Sequence, residues 1–238
     1  SVKGRPLIYL EYGVAQPSNT TLVLSMVHGD EITPLYVGVK LVEWLERSAQ
    51  QFKYSRVVVA PLVNPDSFLD LPRRRVNAHG VDVNRNLPTT DWDSAAQAYW
   101  KEKAGGDPRR FPGSKANSEP ETAFQIALIE KYQPQKILSV HAPLNFMDYD
   151  GPTTLSLSQF PSEYIETCLK LRKTVKAVSG GFFPGSLGNY AGQERGIPTL
   201  TLELPTADPR QADNYWRRFV QGMKTVIQFR VKPSERAS

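Results

Sequence analysis

Cysteine is almost absent: Cys168 is the only one in 238 residues. An intrachain disulfide is therefore excluded, and cysteine says nothing of the redox compartment. Cys168 lies in SEYIETCLKLRKTVKAV, a helical pattern, where it reads as a packing residue. No apolar run approaches the about 20 residues that a membrane-spanning helix requires, and no signal peptide is visible. Internal repeats, low-complexity tracts and linkers are lacking, so one domain over residues 1–238 is expected. Long runs of one charge are missing too. The net charge is +5 and the pI about 9.2, but the densest basic cluster is only Arg73, Arg74 and Arg75. No basic–aromatic interleaving accompanies it, and no nucleic-acid partner is expected. Histidine is scarce, with three in the chain, which makes their positions informative.

What is present is a folded α/β pattern. Hydrophobic residues make up 40% and charged residues 22%, the balance of a chain that buries a core. Arg5–Tyr12 reads as a strand, and Thr20–Val27 and Arg56–Val63 as buried strands with continuous apolar runs. Pro34 opens a helix in PLYVGVKLVEWLERSAQQ, apolar at three- and four-residue spacing. Asp66 to about Pro112 is rich in Pro, Gly, Asn and charge and reads as a long functional loop. Ser118, with Glu121 three residues on, predicts a capping box on SEPETAFQIALIEKYQ. Lys136–Val140 is a strand running into His141, Ser162–Val178 a helix, Gly180–Gly196 a second irregular region. Thr199–Leu204 is an alternating strand, and Asp213 opens a final amphipathic helix. Strands alternating with helices imply a mixed, mostly parallel sheet with helices on both faces.

The chemistry concentrates at strand ends. The strand ending at Val27 runs directly into His28-Gly29-Asp30-Glu31, a spacing that places an imidazole and a carboxylate around one cation. His141 likewise follows a buried strand, and in parallel sheets ligands bind beyond the carboxyl ends of the strands. Two His and one Glu with a position open to water form a common catalytic zinc set. His79, in the polar VNAHGVDV loop, is the weakest ligand candidate. Glu203 stands at the end of TLTLELP, where beside a metal it is a candidate general base. In RRRVNAHGVDVNRNLP, Asn84 and Arg85 offer an amide and a planar fork for a carboxylate. Asp82 suits the far ring nitrogen of a zinc histidine, and Arg75 suits an oxyanion. Arg73 and Arg74 read as a solvated basic loop.

Taken together, VHGDE, VNPD, RVNAHGVDVNRN, SEPET, SVHA and TLELP, in this order, resemble the zinc carboxypeptidase family of carboxypeptidase A. The resemblance implies an α/β/α sandwich around a mixed sheet of about eight strands. It implies one zinc held by His28, Glu31 and His141, with Glu203 as base, Arg75 as electrophile, Asn84 and Arg85 as a carboxylate clamp, and Asp82 behind His28. Within the family, HAPLNFMDYDGP, GSLGNYAGQERGIPTLTLELP and SEPET resemble bacterial murein peptide amidases, which cleave between γ-D-glutamate and meso-diaminopimelate. Two departures stand out: Ala142 replaces the serine of the digestive enzymes after the second zinc histidine, and LRKTVKAV lacks their substrate-capping tyrosine.

Diaminopimelate carries a second ammonium and carboxylate at its far end. Asp148 and Asp150, two apart on a strand and so on one face, are candidates for the ammonium. The Ser186 hydroxyl and nearby backbone donors are candidates for the carboxylate. Murein peptides or other peptides are thus the expected substrates. A general carboxypeptidase, an N-acyl amino acid deacylase and an inactive wall-binding module are the alternatives; retained Glu203 and Arg75 argue against the last. The start at Ser1 suggests a removed upstream segment and a periplasmic or cell-envelope location, with the cytoplasm as alternative.

Overall fold

The computed structural model describes residues 1–15, 17–48, 54–152, 154–171 and 183–232. The Cys168 side chain and the expected helical stretch beyond Leu171, with the LRKTVKAV departure, lie outside the described residues. Six strands form one sheet: β1 (Leu10–Gly13), β2 (Asn19–Ser25), β3 (Ser55–Ala60), β4 (Lys136–His141), β5 (Phe146–Asp150) and β6 (Thr199–Glu203), in the order β1-β3-β2-β4-β6-β5. The inner four are parallel, and the edge strands β1 and β5 run antiparallel to their neighbours. Helices follow as α1 (Ile32–Ser48), α2 (Pro65–Leu69), α3 (Trp92–Glu102), α4 (Pro120–Tyr132), α5 (Ser162–Leu171) and α6 (Ala212–Gln228).

The continuous apolar runs are explained by two cores, one per sheet face. Val23, Val57, Val59, Leu138, Val140, Leu200 and Leu202 meet Leu41 and Leu45 of α1 and Phe219, Met223 and Val226 of α6. The alternate residues Leu22, Leu24, Val58, Ala60 and Ile137 meet Ile126 and Ile129 of α4. At its lower end the sheet hides a lysine. Lys136 Nζ donates to Asn19 Oδ1 at 2.8 Å and Phe229 O at 2.7 Å, tying the end of α6 to β2 and β4.

Several expectations need correction. Six strands are found among the described residues, against the about eight the resemblance implies. The long Asp66–Pro112 region is not simply a loop. It contains α3, which buries only Trp92 and Ala96, too narrow an apolar stripe to stand out from its polar surroundings. The first strand begins at Leu10 rather than Arg5. Ser1 Oγ, Lys3 N and Arg5 Nη1 all bond to buried Asp66 at 2.8–2.9 Å, which holds this segment off the sheet. The capping box on α4 does not form. Glu119 is the N-cap, without a side-chain cap bond, and Pro120 opens the helix. Proline needs no N–H partner there, and Glu121 instead accepts from Asn77 Nδ2 at 2.9 Å.

Candidate active site

Three neighbouring parallel strands deliver the site. β2 ends at Ser25; Met26 then takes φ 49°, and the chain turns so that Glu31 N donates to His28 O at 3.3 Å before α1 begins. Gly29 is required in this turn, because a Cβ there would stand 2.5 Å from Ser67 Cβ of α2. His141 ends β4, and its register partner across the parallel pair is Glu203, the end of β6. Thr201 and Glu203 alternate with Leu200 and Leu202, so the carboxylate lies on the face away from α1 and α6. These ends open into a cleft of about 430 Å³.

His28, Glu31 and His141 converge within it, all buried. His28 Nδ1 lies 2.7 Å from Glu31 Oε1, His141 Nδ1 lies 3.1 Å from Glu31 Oε2, and the two Nδ1 atoms are 3.2 Å apart. Asp82 Oδ1 stands 3.1 Å from His28 Nε2. Burial works against the Asp82 charge, but Arg75 and His28 hold its pKa well below the usual carboxylate range. An ionised carboxylate only accepts, so in the neutral ring the proton sits on Nε2 and the Nδ1 lone pair faces inward. Two inward imidazole nitrogens and a carboxylate form a donor set that a cation completes, and their chemistry is that of zinc. Ser139 Oγ lies 3.0 Å from His141 Nε2 and is the hydrogen-bond partner of that far ring nitrogen. Sequence reading missed it, although its place two residues before His141 on one strand face was the available signal. His79 is elsewhere, paired with Glu119 at 2.8 Å and largely exposed.

Glu203 lines the same cleft. One carboxylate oxygen accepts from Leu144 N at 3.3 Å. Burial raises its pKa, with Glu31 adding to the effect against His141. Arg75 lines the cleft as well, its Nε and Nη2 both 3.0 Å from Asp82 Oδ2 and its Nη1 3.7 Å from Glu31. Asn84 accepts from Leu187 N at 2.8 Å through its side-chain oxygen. Arg85 lies 4.8 Å from the Phe183 ring centre, and its carbonyl accepts from Trp92 Nε1 at 2.8 Å. Gly185, at φ +76°, passes so close to that carbonyl that no side chain fits. Burial pulls the Arg85 pKa down, and the guanidiniums of Arg75 and Arg110 add to this against Asp82.

The floor is acidic. On β5, Met147 and Tyr149 enter the core, while Phe146, Asp148 and Asp150 line the cleft. Asp150 is accommodated by two glycines across the sheet edge. A Cβ at Gly188 would overlap its carboxylate, and one at Gly192 would stand 2.6 Å from its Cβ. Gln193 Nε2 donates to Asp150 Oδ1 at 3.0 Å. Ser186, also lining the cleft, accepts from Asn189 N at 3.2 Å.

Burial, with Asp148 adding to it against the Gln193 bond, pushes the Asp150 carboxyl up to about 6. In the unfolded chain its pKa is about 3.9. Between these values the folded chain keeps a proton that the unfolded chain has released. Stability therefore falls as pH rises from about 4 to about 6, by roughly 2–3 kcal/mol from this group. Asp150→Asn removes that component. The difference in urea midpoint between variant and wild type should be near zero at about pH 4 and favour the variant above about pH 6.5. A difference that does not change with pH would contradict the buried, strained carboxylate.

Zinc donors of this type with an open side belong to catalytic rather than structural centres, and so to a zinc-dependent hydrolase. Residues 1–181 match the zinc carboxypeptidase family, and the chain belongs to that family. Murein peptide amidase A of Escherichia coli K12 is 30% identical over 242 residues, covering 100% of this chain and 91% of that protein. The catalytic chain of human carboxypeptidase N is 30% identical over 158 residues, 56% of this chain and 34% of that one. Among solved structures, the murein-tripeptide amidase of Escherichia coli O157 superposes with a TM-score of 0.64 at 24% identity, covering 98% of this chain and 90% of that one. Carboxypeptidase A of Helicoverpa armigera gives 0.76 at 19% identity, covering 94% and 65%. These two superpositions define the shared fold.

Proposed function

We propose that this zinc peptidase is an amidase of wall-derived peptides, hydrolysing the bond between γ-D-glutamate and meso-diaminopimelate. The observation that carries the reading is the pairing of an acidic floor, Asp148 and Asp150, with the amide of Asn84 and the guanidinium of Arg85 in one cleft. A residue with a carboxylate at the scissile end and a zwitterionic far end is matched by such a cleft. The whole-chain similarity to murein peptide amidase A supports it.

His28, Glu31 and His141 would hold a zinc ion, which when bound would supply Lewis-acid chemistry for the scissile carbonyl and for water. Glu203 takes the proton of the attacking water and returns it to the departing amine. Its raised pKa suits a group that must both accept and release a proton. Arg75 faces the oxyanion, where a fixed positive charge acts without reorganisation. Arg85 and Asn84 clamp the carboxylate beside the scissile amide. Asp148 and Asp150 receive the far ammonium, and Ser186 donates to the far carboxylate. Asp82 keeps His28 in its zinc-binding tautomer. Work on wall remodelling would place the protein in the cell envelope.

The second reading is removal of C-terminal amino acids from ordinary peptides, favoured by the same acidic floor, which would also accept a lysine ammonium. Three tripeptides separate the two, ending in diaminopimelate, lysine or norleucine after the same γ-glutamyl residue. A site built to hydrogen-bond a polar group rejects a substrate that lacks it, because its own groups stay unpaired. We expect kcat/KM to fall about 10²-fold or more from the first peptide to the last, with lysine between them. Equal values would leave the zinc peptidase standing and remove the murein assignment.

A further inference from the structure

The mouth of the cleft carries two arginines that neither the metal nor the clamp uses. Arg109 and Arg110 lie on a short 3-10 turn, Pro108–Arg110, which follows α3. The turn is a fixed platform. Trp100 Nε1 of α3 donates to Asp107 O at 2.8 Å, and the Trp100 and Phe111 rings meet edge to face at 4.9 Å. Asp107 caps the turn, its Oδ1 accepting from Arg109 N at 2.9 Å. On its inner side, Phe111 O accepts from Asp82 N at 2.8 Å, so the turn is tied directly to the loop that carries Asn84 and Arg85.

The two side chains meet different partners. Arg109 Nη2 lies 2.9 Å from Asp30 Oδ2, beside the metal ligand Glu31. Arg110 lines the same cleft as Arg85, and its ion pair with Asp107 is long, Nε to Oδ2 3.9 Å, beyond hydrogen-bond range. Both side chains are more than half exposed, at 58% and 51%, and both line the cleft. The rim from the metal to the clamp thus sets two guanidiniums beside two carboxylates, Asp30 and Asp107, and Arg110 is the more loosely paired of the two arginines. On the proposed substrate, the carboxylate beside the scissile amide goes to Arg85. The far carboxylate shares its carbon with the ammonium held at Asp148 and Asp150, so it stays at the floor. What remains for the rim is the carboxylate of the glutamyl residue, on the acyl side of the scissile bond.

We propose that Arg110, seated beside Arg109 on this platform, binds the α-carboxylate of the γ-linked glutamyl residue and makes the enzyme selective for the acyl half of its substrate as well as for the leaving amine. This rests on the murein reading above and adds a residue to it. It also follows that relatives of the substrate in which that carboxylate is an amide are poorer substrates.

The test uses the zinc-loaded enzyme and two tripeptides that differ only at this group, a free carboxylate in one and a carboxamide in the other. A partly exposed, charge-assisted contact should favour the acid by about fivefold or more in kcat/KM at low salt. Arg110→Gln should bring the acid-to-amide ratio to about one, and Arg110→Lys should restore part of it. Added salt should shrink the wild-type ratio, since the contact is at the rim. A wild-type enzyme that cleaves both equally, or an Arg110→Gln enzyme with the wild-type ratio, overturns the assignment while leaving the murein reading intact. Failure to cleave either peptide refutes the murein reading itself, and this inference with it.

Discussion

Glu203→Gln should lower turnover by about 10²–10⁴-fold, the usual contribution of a positioned acid–base group, while fold and zinc content stay at wild-type levels. The substitution is isosteric, and the amide oxygen can still accept from Leu144 N, the 3.3 Å contact of the present carboxylate. It also replaces a carboxylate whose charge burial disfavours, so no loss of stability is expected. Glutamine cannot hold the proton that must pass from water to amine. The deficit should therefore appear in kcat with KM little changed. Steady-state kinetics, with zinc analysis and a thermal melt on the same preparation, checks all three points. A variant with near-native kcat would show that another group is the base.

Much of this site was legible because parallel-sheet topology concentrates chemistry at strand ends. His28 and His141 each follow an apolar run, and Glu203 puts a carboxylate at the end of an alternating strand, in register with His141. Local signals sufficed there, since the residues next to the chemistry are themselves the strands that position it. The packing behind them was also readable: the uninterrupted apolar runs correspond to strands buried on both faces.

Features that depend on distant contacts were not legible. Gly188 and Gly192 make room for Asp150 from a π-helical turn remote in sequence, and nothing in GSLGNYAGQ announces its neighbour. Nothing local in KILSV marks its lysine, Lys136, as fully buried, yet it packs against the carbonyls at the end of α6. The serine–glutamate spacing before α4 matched a capping box, but a long-range partner, Asn77, took the glutamates. The Asp107–Arg110 turn became a rim only because α3 folds and anchors it through Trp100.

The largest effect is expected from the metal centre. His28 supplies one of three converging ligands, and its loss leaves a single imidazole and Glu31, too few donors for a zinc site of this class. Removing only an outer partner of a zinc ligand typically costs about 10–100-fold in metal affinity; removing the ligand costs more. His28→Ala vacates a buried position, so a thermal melt should accompany the assay, and His141→Ala provides an independent second variant. The decisive measurement is zinc by elemental analysis on wild type, chelator-treated wild type and His28→Ala, with tripeptide hydrolysis on the same samples. We expect close to one zinc per chain in the wild type and activity that disappears with chelation and returns with added zinc. His28→Ala should be folded, without zinc and without activity. Full zinc occupancy in folded His28→Ala, or undiminished hydrolysis by the metal-free wild type, would contradict the assignment of the His28–Glu31–His141 centre.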